Sequence, residues 1–113
     1  MFIFESKPIF PALDIYETKN EIVIEAEVPG VNVEGIKITC ASDKIIIEGE
    51  KREKLNMEHV KFLRMERFNG YFRRVIQLPF SPKEEEIKAN LRDGVLVIKI
   101  KKRITNISLE EDE

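Results

Sequence analysis

The chain has 113 residues, with 42% hydrophobic and 35% charged side chains, a formal net charge of −2 and a pI near 5.6. This length supports one domain with a modest core, and the balanced charge gives no electrostatic reason to expect nucleic acid as a partner. The single cysteine excludes an internal disulfide and suits a reducing compartment, so we expect a cytoplasmic protein.

The sequence carries no signal for export or for a membrane. The start Met1–Phe4 is apolar, but Glu5 follows it at once and the basic region of a signal peptide is missing. No apolar run approaches the roughly 20 residues that cross a bilayer. We therefore expect no membrane partner.

Alternation of apolar and polar residues predicts β-strands along most of the chain. In the clearest case, Ile22, Ile24, Ala26 and Val28 share one face, opposite Glu21, Glu25 and Glu27. In chain order, the predicted strands are Leu13–Thr18, Glu21–Val28, Ile36–Cys40, Lys44–Glu50, Tyr71–Leu78 and Ile87–Leu91, followed by a last strand after Asp93-Gly94.

The connection Lys51–Arg67 is unusually long for a compact domain, where such a segment generally has a function. Six apolar residues are scattered among its charges: Leu55, Met57, Val60, Phe62, Leu63 and Met65. A plain solvated linker would not carry them. One interpretation is a helix or hairpin that packs on its own domain.

Arg74 shares a strand face with Phe72, Ile76 and Leu78 by period-two counting. A charge on an apolar face needs a carboxylate or backbone carbonyls as its partner, because an unpaired buried charge is costly. Alternatively, Arg74 lies at a strand end and its guanidinium reaches solvent.

Asp93-Gly94 lies between two apolar runs and favours a tight hairpin, because glycine readily adopts a positive φ. Several short strands separated by turn signals predict an all-β fold, an antiparallel β-sandwich of seven to nine strands. Only Lys83–Lys88 offers a helical turn.

Two stretches closely resemble the α-crystallin domain of the small heat-shock proteins, which are ATP-independent holdase chaperones. They are the order A-x-x-x-D-G-V-L over Ala89–Leu96 and the run GYFRRVIQLP over Gly70–Pro79. The resemblance spans roughly Pro11–Lys102 and implies an immunoglobulin-like sandwich with an extended strand-exchange loop. It divides the chain into a short apolar arm (1–10), the sandwich domain (11–102) and a C-terminal extension with an acidic end (103–113).

In the microbial and plant branch of this family, the long connection holds a short strand that crosses to a partner subunit. The resemblance places that strand near His59–Arg64. It implies a homodimer interface that includes Val60, Phe62, Leu63 and Arg74, with Arg74 in an intersubunit ion pair. Such an exchange would bury the apolar side chains and cover a sheet edge that otherwise invites aggregation.

Ile107-Ser108-Leu109 is a version of the I-x-I/V tail motif by which family members dock into a neighbour. Alternate apolar side chains of an extended tail can enter two pockets of an exposed groove while its backbone pairs with a sheet edge. The resemblance places this groove at Ile36, Ile38, Cys40, Ile87 and Ala89. The alternative is a frayed tail, with Ile104 as a competing anchor.

The residues before the domain are rich in large apolar side chains: Phe2, Ile3, Phe4, Ile9 and Phe10. Family members usually carry a longer apolar arm, which serves assembly and client binding. We expect these residues to enter a subunit contact or to meet clients, since a solvated terminus rarely carries so many. The open alternative is that they cap the sandwich's own core. The short arm argues against a large cage.

Catalytic and cofactor motifs are absent from the sequence. His59 and Cys40 are the only residues of their types and lack the clustering that zinc needs. The glycines form no phosphate-binding loop, and Glu58 and Glu66 interrupt the basic residues that nucleic acid would need. We expect neither an enzyme nor a cofactor, metal or nucleic-acid partner.

The expected function is that of a stress-response holdase that binds partly unfolded client proteins and keeps them from aggregating. The alternative is a monomeric co-chaperone or adaptor module of the related sandwich type, which binds one folded partner. The long connection and the match at Arg74 favour the holdase, because the adaptor type generally lacks the crossing strand.

Overall fold

The computed structural model describes residues 9–52, 57–103 and 107–112, which contain seven β-strands and three short 3-10 turns. The strands are β1 (Leu13–Glu17), β2 (Glu21–Glu27), β3 (Ile36–Ala41), β4 (Lys44–Lys51), β5 (Gly70–Gln77), β6 (Ile87–Arg92) and β7 (Val95–Lys101). The 3-10 turns are Val33–Gly35, Met57–His59 and Glu84–Glu86. The predicted strand-rich fold without a substantial helix is confirmed.

The strands form two antiparallel sheets. The first has the order β1-β2-β7-β6, and the second has the order β3-β4-β5. Every pairing is antiparallel, and two hairpins close with two-residue loops, because Ala41 pairs with Lys44 and Arg92 pairs with Val95. The predicted antiparallel sandwich is therefore the observed fold.

The core lies between the two sheets and is built almost entirely from aliphatic side chains. From the first sheet, β2 and β7 contribute Ile24, Ala26, Ile98 and Ile100, each with no exposed surface. From the second sheet, Ile45 and Ile47 of β4 are equally buried. For β2, the period-two pattern thus predicted the inward face correctly, because this central strand turns one face toward the core.

The outward-pointing Val23 is also buried, with 2% of its surface exposed. It lies on the central strand β2, where Tyr16 of β1 and Lys99 of β7 are its cross-strand neighbours. Long neighbours on a sheet face shield a small residue between them. Val23 is therefore buried by its neighbours on the adjacent strands, which the period-two pattern does not predict.

The turn at Asp93-Gly94 has the predicted backbone. Asp93 and Gly94 have φ values of 52° and 76°, the left-handed pair that a tight two-residue hairpin needs. The Gly94 carbonyl accepts a 2.7 Å hydrogen bond from the Val28 amide, so the turn is tied to the end of β2. A side chain at position 94 would also crowd the Pro29 backbone, 3.2 Å from an added Cβ.

The sandwich has two sides at which sheet edges face each other. On one side, β3 of the second sheet lies near β6 of the first and leaves a groove. On the other side, β5 lies near β1, and residues 10–11 close the gap.

Candidate binding surfaces

The groove between β3 and β6 is a cavity of about 510 Å³. It brings together four of the five residues predicted to form it. The predicted residues that line it are Ile38, Cys40, Ile87 and Ala89. Ile36, the fifth, is half-buried, packs against the core and does not line this cavity.

The rest of the groove comes from turns that the strand pattern did not reveal. Ser42, Ser81, Pro82 and Glu84 lie along it, together with Thr39 and Ile45. The Ser42 and Ser81 hydroxyls are 3.4 Å apart, which links the β3–β4 turn to the segment after β5. No periodicity marks such residues, because they belong to connections whose position depends on the whole fold.

The groove can accept an extended apolar peptide. Its floor holds the apolar residues Ile38, Ile45 and Ile87, and both strands beside it are sheet edges. A free edge offers backbone hydrogen bonds, and pockets beside it select alternate side chains. The exposed Cys40 lies within the groove, with its thiol 3.6 Å from the Ser42 carbonyl oxygen, to which it donates.

The tail motif lies outside the groove of its own chain. Ile107 is 89% exposed and Leu109 is 97% exposed. Apolar side chains this exposed gain about 1.5–3 kcal/mol each on full burial. Whether they are buried by a neighbouring subunit stays a prediction.

The long connection exposes the apolar residues that were predicted to cross to a partner subunit. Val60, Phe62, Leu63 and Met65 are between 39% and 93% exposed. Between β4 and β5, the described residues 57–69 contain the 3-10 turn at 57–59 and no strand. The strand predicted near His59–Arg64 is therefore not formed within the chain, and pairing with another subunit stays a prediction.

The first strand leaves an edge free on the opposite side of the molecule. Among the strands of the described residues, β1 pairs only with β2, and its Ile15 and Tyr16 are 51% and 44% exposed. The Tyr16 hydroxyl donates a 2.8 Å hydrogen bond to Oε1 of Glu25, and this bond raises the tyrosine pKa from 10.0. An unpaired edge with an exposed isoleucine is a surface on which another strand can pair.

Arg74 lies on the inner face of β5, as predicted, and is half-buried between the buried residues Phe72 and Ile76. Its Nη1 donates a 2.7 Å hydrogen bond to the carbonyl oxygen of Pro11. The partner within the chain is thus a backbone carbonyl, one of the two partners that the sequence argument allowed. An intersubunit carboxylate for Arg74 stays a prediction.

Phe10 packs on the chain's own domain. Its ring stacks on Phe68, with centroids 4.3 Å apart and planes 7° apart, and meets Phe72 edge-on at 5.2 Å. Phe10 therefore caps the core of its own domain, which is the alternative that the sequence left open for the arm. Ile9, by contrast, is 68% exposed. Predicted arm residues Phe2, Ile3 and Phe4 lie outside the described residues.

The described residues offer neither a group of metal ligands nor a membrane-spanning helix. Within 9–52, 57–103 and 107–112, the histidine, cysteine and acidic side chains form no group that could hold a metal ion. In the same ranges, no helix is long and apolar enough to cross a membrane.

The chain matches proteins of known family in both sequence and structure. Residues 14–112 match the family model described as Hsp20/alpha crystallin family. Small heat shock protein C4 of Rickettsia felis is 35% identical over 100 residues, which cover 88% of this chain and 61% of that protein. The chain spans about three-fifths of the length of the curated relatives that it matches first, between 59% and 63%.

Two solved structures share the fold over nearly their full length. Heat shock protein 16.0 from Schizosaccharomyces pombe superposes with a TM-score of 0.77 at 26% identity, covering 94% of this chain and 98% of that one. A small heat-shock protein from Xylella fastidiosa gives a TM-score of 0.76 at 31% identity, covering 91% and 94%.

Proposed function

Because the chain belongs to the Hsp20/alpha crystallin family, we propose that it is an ATP-independent holdase chaperone that binds partly unfolded proteins and prevents their aggregation. Proteins of this family are chaperones rather than enzymes. The observation that carries the proposal is the chain's exposed apolar surface, which includes the groove, the segment 60–65 and the tail motif. Its clients are unfolded chains, and its location is the cytoplasm.

Such a surface needs no nucleotide to act. A protein that binds exposed apolar segments lowers the free concentration of aggregation-prone chains by mass action alone. Apolar burial is non-directional, so one surface can hold many sequences.

The proposed basic unit is a homodimer formed by strand exchange. The segment containing Val60, Phe62 and Leu63 would cross to a second subunit and pair with the free edge of β1. There its side chains would cover Ile15, and the backbone groups of both edges would be satisfied. The exposure of the segment and the free edge of β1 in one chain supports this arrangement.

The proposed contact between dimers is the tail motif in a neighbour's groove. Ile107 and Leu109 are two residues apart, so in an extended tail they point the same way. Ile38 and Ile87 would then receive them from the two sides of the groove. The relative from Xylella fastidiosa is described as having a distinct high order structure, which is consistent with assembly beyond a dimer in the family.

The test is suppression of heat-induced aggregation of a client enzyme, measured by light scattering at near-equal molar ratio. We expect suppression without nucleotide and no gain when ATP and Mg²⁺ are added. A parallel native-mass measurement should give a dimer or a larger assembly. A monomer that fails to suppress aggregation even in large excess would instead support the adaptor alternative.

A further inference from the structure

Phe10 lies where the long connection leaves the domain and where it returns. The connection begins after Lys51, at the end of β4, and Phe68 lies just before β5. Lys51 and Gly70 are paired residues, so the two ends of the connection are close together. The Lys51 ammonium lies 5.6 Å from the centre of the Phe10 ring, and the Phe68 ring stacks on the same ring at 4.3 Å. One side chain therefore contacts both ends.

The backbone next to Phe10 is held by a second, independent contact. Pro11 is buried, and its carbonyl accepts the 2.7 Å hydrogen bond from Arg74 on β5. Residues 10 and 11 are thus fixed by the ring cluster of Phe10, Phe68 and Phe72 and by a charge-assisted hydrogen bond. By contrast, Ile9 projects into solvent. Among the described residues of the N-terminal segment, anchoring therefore starts at Phe10.

We propose that Phe10 is a latch that couples the N-terminal segment to residues 57–69, the described part of the connection between β4 and β5. When the residues before Phe10 are drawn onto a client or another subunit, Phe10 leaves the cluster. Phe68 at the returning end of the connection then loses its stacked ring and keeps the weaker edge-on contact with Phe72, whose centroid is 6.3 Å away. The coupling is reciprocal, because a contact that stabilises both segments is lost from both at once. Binding at the N-terminal segment thereby loosens the segment that carries Val60 and Leu63.

The effect on subunits rests on the proposed strand exchange. If the segment 57–69 joins two subunits, then the latch sets how readily it detaches, and engagement of the N-terminal segment speeds the exchange of subunits. The latch itself is a contact within one chain. It can therefore be tested whether or not the protein is a dimer.

The first test is limited proteolysis of the full-length chain. Trypsin cuts after Lys61, Arg64 and Arg67, and mass spectrometry of the fragments reports the opening of this segment. We expect F10L and F68L each to raise the cleavage rate about three- to tenfold, the range that matches the loss of one aromatic pair. The double variant should be no faster than the faster single variant, because the two changes break the same contact.

The control is F80L, which alters a half-buried aromatic residue that packs on the core outside the cluster. Urea unfolding of all variants separates general destabilisation from local opening. Equal cleavage rates in F10L and F80L at matched stability would overturn the latch, and so would additive rates in the double variant.

The second test measures exchange between isotope-labelled and unlabelled protein by native mass spectrometry. F10L should speed exchange by a similar factor, with F80L close to the parent. If exchange is unchanged while cleavage rises, the latch stands and the strand-exchange model fails. If neither rate changes, the latch is wrong and the dimer model is untouched.

Discussion

The guanidinium of Arg74 and the carbonyl of Pro11 join β5 to the start of the first sheet through a 2.7 Å hydrogen bond. This bond explains how a cation is tolerated on the inner face of a strand. Pro11 is buried, so its carbonyl would otherwise lack solvent as a partner. The Arg74 side chain thus closes one side of the sandwich by donating a hydrogen bond to a backbone carbonyl.

Replacing Arg74 with alanine should lower the free energy of unfolding by about 1.5–3 kcal/mol, the usual worth of a hydrogen bond to a charged group. The matched control is R73A, since Arg73 is exposed on the neighbouring position of the same strand. Its effect should stay within about 0.5 kcal/mol. Urea unfolding at low protein concentration measures both, and equal losses would contradict the assignment.

If a partner's carboxylate also pairs with Arg74, then R74A should cost more in the dimer than in the monomer. Leaving such a carboxylate buried and alone costs about 3–5 kcal/mol. Repeating the unfolding measurement over a range of protein concentrations distinguishes the two cases, because only an intersubunit partner makes the loss depend on concentration.

The local features of this fold could be predicted from sequence, because they depend on neighbouring residues. Period-two alternation placed Ile22 and Ile24 on the face that proves to be buried, and Asp93-Gly94 marked the hairpin. The groove could not be predicted from local pattern, because no such pattern indicates that the sheet edge carrying Ile38 faces the sheet edge carrying Ile87. The resemblance to a known family supplied that juxtaposition.

The features that were missed depend on contacts between distant parts of the chain. Phe10 stacks on Phe68, 58 positions away, and both lie outside regular strands, so neither shows a pattern. The sequence shows only that Gly49 is a glycine inside a predicted strand. The structure shows why a glycine is needed, because the Gly35 carbonyl lies where a side chain at position 49 would be. Packing of this kind has no sequence period.

Gly49→Ala should destabilise the domain by roughly 1–3 kcal/mol, because a Cβ there would collide with the Gly35 carbonyl oxygen and lie 2.9 Å from Cζ of Phe72. Both neighbours belong to packed parts of the domain and have little freedom to move. The control is E50A, an exposed position next along β4. Thermal unfolding should place E50A near the parent and G49A clearly below it, and the reverse order would refute the packing argument.

Leu63→Asp separates the role of this residue in the chain from its proposed role in the dimer. Leu63 is 93% exposed, so the stability of a single chain should change by no more than about 0.5 kcal/mol. A charge at a strand-exchange seam would instead weaken association, because it would be buried without a partner. Light scattering should show a lower native mass for L63D, and K61A, an exposed change in the same segment, should keep the parent's mass. A normal mass for L63D would place the dimer contact elsewhere.

Glu86 should make stability depend on pH in the acid range. Its Oε1 accepts the Lys83 amide at 2.8 Å and the Arg103 guanidinium at 3.3 Å, and the backbone bond to Lys83 is the main cause that lowers its pKa from 4.5. A lowered folded pKa means that the carboxylate stabilises the fold fully above about 4.5 and loses that contribution as pH falls through the folded value. In urea unfolding, E86Q should be less stable than the parent at neutral pH, and the difference should shrink on acidification. E85Q, an exposed neighbour, should follow the parent's pH dependence; if it behaves like E86Q, then the effect belongs to the acidic turn as a whole.

If the tail motif docks in the groove, the reactivity of the Cys40 thiol should depend on it. Cys40 lies in the groove and is exposed in the single chain, so a docked tail from a neighbour would cover its thiol. The variant I107A/L109A removes two anchors worth about 1.5–3 kcal/mol each. It should lower the native mass to that of the dimer and speed the reaction of Cys40 with a chromogenic thiol reagent. S108A, which changes the intervening side chain alone, should resemble the parent in both measurements. Unchanged mass together with unchanged thiol reactivity would show that the tail does not occupy the groove, whereas faster reaction at unchanged mass would mean that it docks without holding the assembly together.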